Sequence, residues 1–222
     1  MKKVLFFALF TMLGINAIAQ KAKPFIKQFE YTINAGFGTT ASSDPYDNAI
    51  INWNAGIDIK RDILSISKSK KSRIYGLLGV HYTQRGGKNG TGIEDMITYG
   101  NSFRVNQVNV PLHIGYKHVF KNNNRFFVDI GPFIGFNSKC DLGDGYGEDR
   151  FNSEYKLESK SVEFGLGGNI GFCLKRFGIS MGYDSGLTNI AKFSNKNSYY
   201  NNTYDLKSQV FYFRLQWTIN KI

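Results

Sequence analysis

The sequence predicts an all-β fold, an eight-stranded antiparallel up-and-down transmembrane β-barrel. Three observations carry the prediction. From residue 29 onward, side chains alternate with period two; one of the two faces is nearly free of charge; and the connections alternate between long and short. Composition agrees, because the 222-residue chain holds 24 glycines, 19 phenylalanines and 13 tyrosines, the residues of turns and strands.

The first segment, "MKKVLFFALFTMLGINAIAQ", pairs a basic start (Lys2, Lys3) with an apolar stretch from Val4 to Ile15 and a small-x-small end at Ala17-Ile18-Ala19. That layout predicts a secretory signal over residues 1–19, removed before Gln20, and a single barrel domain over residues 20–222. No cysteine stands near the cut, which excludes a lipid anchor there. Losing Lys2 and Lys3 lowers the formal charge from +11 to +9, an excess suited to anionic lipid or envelope material. Nucleic acid is excluded as a partner: there is no basic helix and no aromatic RNA-binding signature. Past the signal, no apolar run is long enough for a membrane-spanning helix.

Strands are predicted near 29–40, 49–60, 73–85, 104–119, 125–138, 160–173, 176–187 and 207–220. In the first, Tyr31, Ile33, Ala35 and Phe37 share one face, with Thr32, Asn34, Gly36 and Gly38 on the other. The second sets Ile51, Trp53, Ala55, Ile57 and Ile59 against Asn52, Asn54, Gly56, Asp58 and Lys60. In the fourth, Val108, Val110, Leu112, Ile114 and Tyr116 oppose Asn109, Pro111, His113, Gly115 and Lys117. The last is the clearest, with Phe211, Phe213, Leu215, Trp217 and Ile219 on one side. Each strand has the about 9–11 residues that a tilted crossing needs. The even number places both termini on one side, the periplasmic side of an outer membrane.

Long polar connections (41–48, 86–103, 139–159, 188–206) are expected outside the cell; "RDILSISKSKKS", "KNNN" and "LKR" are expected as periplasmic turns. The first of these turns, 61–72, is longer than its role requires. A soluble barrel would put its polar face outward and carry many more Lys and Glu there. Here that face is mostly Gly, Asn, Ser and Thr, suited to a narrow lumen. The other face carries rings near strand ends, including Tyr31, Tyr82, Tyr116, Phe126, Phe136, Phe172, Phe177 and Trp217, as expected at lipid–water interfaces.

The stretches "LLGVHYTQRGG", "VNQVNVPLHIGYK", "FFVDIGPFIGF", "VEFGLGGNIGF" and "GYDSGLTNI" follow in this order. Together they resemble the PorT-like outer-membrane β-barrel family of Bacteroidetes-type envelopes, over nearly the whole mature chain. The sequence departs from that pattern at Tyr183-Asp184, in place of an Arg-Tyr pair, and in ending on "WTINKI". The resemblance implies an eight-stranded barrel in the outer membrane and, for some relatives, a link to protein secretion.

Parity places Asp58, His81, His113, Lys117, Asp129, Glu163 and Arg214 in the lumen. Buried charges persist only when paired, so these residues are expected to form a structural polar network. Arg214 is expected to meet an acid such as Glu163, and His113 to meet Asp129. A proton or ion path, or a narrow pore, is the competing reading of the same residues. A lipid-modifying hydrolase would need a nucleophile and base facing the lipid. His81 and His113 face inward, and no serine stands beside them on the lipid side, so no catalytic residue is assigned. Ser185 in "GYDSGLTNI" is one position off the Gly-x-Ser-x-Gly elbow and begins an outer loop.

"DLGDGYGED" at 141–149 is acidic and glycine-rich, but it lacks EF-hand spacing and is read as a solvated loop; no metal or cofactor is expected. Tyr199, Tyr200 and Tyr204 in the fourth outer loop are the candidate external partner surface. Cys140 and Cys173 fall at opposite ends of neighbouring strands and are expected to be free thiols. The expected role is structural, adhesive or in envelope and secretion assembly. The expected partners are outer-membrane lipid, lipopolysaccharide and envelope or secretion proteins, with the chain itself a monomer.

Overall fold

The computed structural model describes residues 29–43, 48–66, 69–88, 102–142, 155–195 and 203–219. The expected signal, Tyr199, Tyr200 and the acidic residues 143–149 lie outside these. Among the described residues eleven strands follow one another: β1 (Phe29–Ser42), β2 (Ile50–Ser65), β3 (Ser72–Lys88), β4 (Ser102–Val119), β5 (Arg125–Leu142), β6 (Tyr155–Ser159), β7 (Val162–Leu174), β8 (Phe177–Gly186), β9 (Ala191–Asn195), β10 (Thr203–Leu206) and β11 (Ser208–Thr218).

Eight of them close an antiparallel barrel in the order β1-β11-β8-β7-β5-β4-β3-β2. The eight expected strands are these eight. First and last strands meet along a seam from Thr32↔Thr218 to Ser42↔Ser208. Closure leaves no unpaired edge, the condition hydrocarbon imposes on a sheet. The period-two pattern gives each strand its two faces: β11 reads buried and exposed in strict alternation, with Val210, Tyr212 and Arg214 inside and Phe211, Phe213 and Leu215 outside.

The distribution is inverted relative to a soluble protein. Buried side chains include Asn34, Asn52, Asn54, Asp58, Arg85, Gln107, Glu163 and Arg214, whereas Trp53 (62%), Ile130 (64%), Phe177 (70%) and Leu215 (70%) are exposed. Water would not tolerate that many exposed apolar side chains in one continuous belt; acyl chains would. Rings flank the belt, with Phe177 stacked on Trp217 at 6.5 Å near one end and Phe37 packed edge-on against Trp53 at 6.5 Å toward the other.

Two expectations are corrected. Residues 61–65 continue β2 rather than opening a long turn, so the connection shortens to 66–71. A bulge between Asp62 and Leu64 lets the apolar Leu64 stay exposed while Asp62 points inward, where Arg73 pairs with it at 2.7 Å. The connections 139–159 and 188–206 are not simple loops either. β5 runs on to Leu142, and β6, β9 and β10 form a second, three-stranded sheet in the order β10-β9-β6. Tyr204 lies on β10, where its backbone pairs with Phe193. β4 and β5, with 18 residues each, exceed the about 9–11 that a crossing needs, so they protrude beyond the apolar band toward this outer sheet.

Cys173 is a buried free thiol level with Arg125 of β5. Cys140 lies 15 residues farther along that strand, about 50 Å away at ~3.3 Å per residue, far beyond disulfide reach.

Candidate functional site in the barrel lumen

All seven lumen candidates are buried: Asp58, His81, His113, Lys117, Asp129, Glu163 and Arg214 are each at most 6% exposed. They fall into three layers, and most of their partners come from residues that parity alone did not single out.

At the outer end, Arg85 of β3 is fully buried. Its Nε donates to Gln107 Oε1 (2.5 Å), Nη1 to Ser208 Oγ (2.7 Å) and Nη2 to Asp184 Oδ2 (3.1 Å), while Nε lies 3.4 Å from Glu163 Oε2. Glu163 also accepts from Gln107 Nε2 (2.6 Å) and Ser208 Oγ (2.6 Å), and the guanidinium lies 4.5 Å from the Phe133 ring centroid. A planar cation with five donors is thereby held between two carboxylates, an amide, a hydroxyl and a ring face.

The middle layer is a hydrogen-bond chain. Tyr212 Oη donates to Asn169 Oδ1 (2.6 Å) and lies 3.3 Å from Asp184 Oδ1; Asn169 Nδ2 donates to Asp129 Oδ1 (2.9 Å). Asp129 also meets His113 Nδ1 at 2.8 Å and accepts from Tyr75 Oη at 2.7 Å. Beside it, Asp58 pairs with His81 Nε2 (2.7 Å) and accepts from Asn34 Nδ2 (2.9 Å). The chain packs this tightly because glycines face the large side chains. A Cβ at Gly182 would collide with the Tyr212 ring and Asn169, and one at Gly135 with Gln107.

At the opposite end of the barrel, beside the start of β1, Lys117 Nζ lies 2.7 Å from Asp62 Oδ1 and 3.2 Å from Glu30 Oε2, and Arg125 Nη1 lies 2.8 Å from Glu30 Oε2. Lys60 is held over the Phe127 ring, 4.4 Å from its centroid, with Tyr75 at 5.8 Å. The gap among Lys60, Tyr75, Lys117 and Arg125 measures about 10 Å³, room for roughly one water.

The expected contact between Arg214 and Glu163 does not form. Arg214 is level with Ser180 of β8, whereas Gly165 already pairs with Gly186 at that strand's outer end and Glu163 lies beyond it. Ser180 is level with Gly171 of β7, eight residues from Glu163, so at ~3.3 Å per residue about 26 Å of strand separates the two levels. Parity gives the face of the sheet; only the register gives the depth. Arg214 instead donates to Asn54 Oδ1 (2.7 Å) and stacks 3.8 Å from the Tyr212 ring centroid. Arg214→Leu would strand the Asn54 acceptor and is expected to cost about 1–3 kcal/mol in reversible unfolding. A change near zero would mean that this contact carries no stability.

The buried charged groups balance. Among the described residues, six carboxylates (Glu30, Asp58, Asp62, Asp129, Glu163, Asp184) face five buried Lys or Arg (Lys60, Arg85, Lys117, Arg125, Arg214), with Arg73 completing the match at the rim. An ion crossing this lumen would have to displace those pairs.

Residues 18–192 match the outer membrane protein beta-barrel domain family. The chain belongs to that family. This outer-membrane barrel also has structural neighbours. OprG from Pseudomonas aeruginosa shares 14% identity at a TM-score of 0.52, covering 87% of this chain and 97% of its own. Neisserial surface protein A shares 14% identity at a TM-score of 0.43, covering 86% and 97%. The outer membrane enzyme PagL shares 15% identity at a TM-score of 0.49, covering 85% and 99%. The likeness to OprG shows the fold alone. No curated protein matches this barrel in sequence.

Inside the barrel, the two lumen histidines are bound to carboxylates rather than to a nucleophile. Ser185 lies within β8, paired with Leu166 and Gln209, and the segment after it leads into β9 rather than a helix. The neighbouring Asp184, not Ser185, is the chemically engaged residue of that stretch, as a ligand of Arg85.

Proposed function

We propose that this family member is a plugged outer-membrane barrel whose role is structural, adhesive or in envelope and secretion assembly, exerted through its outer part and without catalysis. The observation that carries the reading is the Arg85 layer. One guanidinium joins β3 to β4, β7, β8 and β11 through Gln107, Glu163, Asp184 and Ser208, which ties the wall together across the lumen. Strands prolonged into a second sheet supply a shaped surface beyond the membrane, with Tyr204 on it. The resemblance to PorT-like barrels favours envelope or secretion proteins as partners there. In this reading residues 1–19 are removed on export and both termini face the periplasm, as an even strand number requires when the long connections are outside.

The purified barrel, reconstituted in a planar bilayer, is expected to give no sustained conductance steps. Steady single-channel currents would overturn the plug and favour the narrow pore. In cells, cross-linked partners should be lost when the β9–β10 segment is replaced by a short glycine-serine turn while the barrel still inserts. Retention of the same partners by that variant would remove the outer sheet from the proposal.

A further inference from the structure

The positive charge of this chain is distributed unevenly. Among the described residues, every Asp and Glu lies either in the lumen or at the end of the barrel that carries the second sheet; none lies on a periplasmic turn. Among the described residues those turns carry Lys70, Lys71, Lys121, Lys175 and Arg176, with nothing acidic beside them.

Two of the turns come together at one corner. Val119 N donates to the Lys71 carbonyl (2.8 Å), joining the β2–β3 turn to the end of β4. Just inside this corner, on the outward surface, three polar side chains are linked where the apolar belt ends. Tyr116 Oη donates to Ser72 Oγ (3.1 Å), and Ser72 Oγ meets His118 Nδ1 (2.9 Å). The His118 ring packs edge-on against Phe120 at 4.8 Å, and Phe120 lies 6.0 Å from Phe172. Ser72 and His118 are both only part-buried. A polar chain on a lipid-facing wall, rimmed by rings and next in sequence to turns that carry lysines, has the make-up of a headgroup site.

We propose that this corner binds the phosphate of an anionic phospholipid in the inner leaflet of the outer membrane. His118 and the ammonium groups of Lys70, Lys71 and Lys121 donate to the acceptor-only phosphate oxygens. The acyl chains then lie along the apolar strand surface at Ile114 and Val128, both exposed. The inner-leaflet assignment rests on the proposed periplasmic placement of the turns; the phosphate site itself does not.

The test uses the full-length mature barrel in an uncharged detergent. It is titrated with phosphatidylglycerol and with phosphatidylcholine of equal chain length, and retained lipid is read by native mass spectrometry. Phosphatidylglycerol should bind at least about tenfold more tightly, and inorganic phosphate should not displace it. At about fivefold per cation near an anionic headgroup, K70Q/K71Q/K121Q should weaken binding by about a hundredfold. H118F, which keeps those charges, should also weaken it. The charge-matched outer variant K160Q/K192Q/K207Q should leave it unchanged. Equal affinity for the two lipids, or an equal loss in both triple variants, would overturn the site. Separately, an N122C variant in a C140S/C173S background should react with an impermeant maleimide only after the envelope is opened. Labelling in intact cells would overturn the inner-leaflet assignment and the proposed orientation, whatever the titration shows.

Discussion

Arg85→Leu is expected to destabilise the barrel by about 3–5 kcal/mol, the cost of leaving buried charges without their partner. Glu163 and Asp184 would lose their common cation inside a wall where Glu163 is completely buried. Reversible unfolding in detergent by guanidinium, followed by tryptophan emission, measures the change. The result is read together with a compensated variant, R85L/E163Q/D184N, which keeps shape and acceptors but removes the orphaned charge. Most of the loss should return there, because a neutral polar cluster is far cheaper to bury than an unpaired carboxylate. A single variant within 0.5 kcal/mol of the parent, roughly the range of an ordinary surface change, would mean that the outer layer does not tie the wall together.

Ile130→Arg is expected to cost about 2–4 kcal/mol on folding into lipid vesicles. Ile130 is 64% exposed and lies near the middle of an outward apolar run on β5 from Phe126 to Phe136. In water, an arginine at so open a position would be nearly neutral, within about 0.5 kcal/mol. The magnitude therefore reports which solvent surrounds the belt. Ile130→Leu, as a control, should fold like the parent. If the arginine variant matched the leucine one, the belt would not be in hydrocarbon.

How far the sequence could be read depended on the kind of information each feature needs. Strand faces require only local parity, so the alternation in "FYFRLQWTI" placed Arg214 inward and Leu215 outward without any knowledge of neighbours. Partner identity requires the shear of the closed barrel, which no single strand records. Arg214 and Glu163 share a lumen but not a depth, while His113 and Asp129 lie on neighbouring strands with Gly115 paired to Asp129, and these do meet. Arg85 had the same parity as His81 and Thr83 and could have been found that way. Its place in "TQRGG", close to a strand end, suggested a boundary rather than a hub. The outer sheet was hidden for another reason. β6, β9 and β10 have five, five and four residues, too few for alternation to rise above a polar background. Ser72 and His118 meet only through the pairing of β3 with β4, 46 residues apart in sequence, and neither stands in a motif of its own.

The seam between β1 and β11 sets how the chain reaches its native state. The first strand's closing partner is the last one, its residues almost the whole sequence away at Thr32↔Thr218. No shorter product of synthesis or of premature termination has a closed ring, and every incomplete ring presents two open edges. Contacts this distant in sequence form slowly, since the intervening chain must be ordered before they contribute. An unfinished copy is therefore a template for adding strands from other molecules. Holding the chain away from its own kind until residue 218 has arrived is a kinetic requirement, set by topology and independent of which side chains fill the lumen.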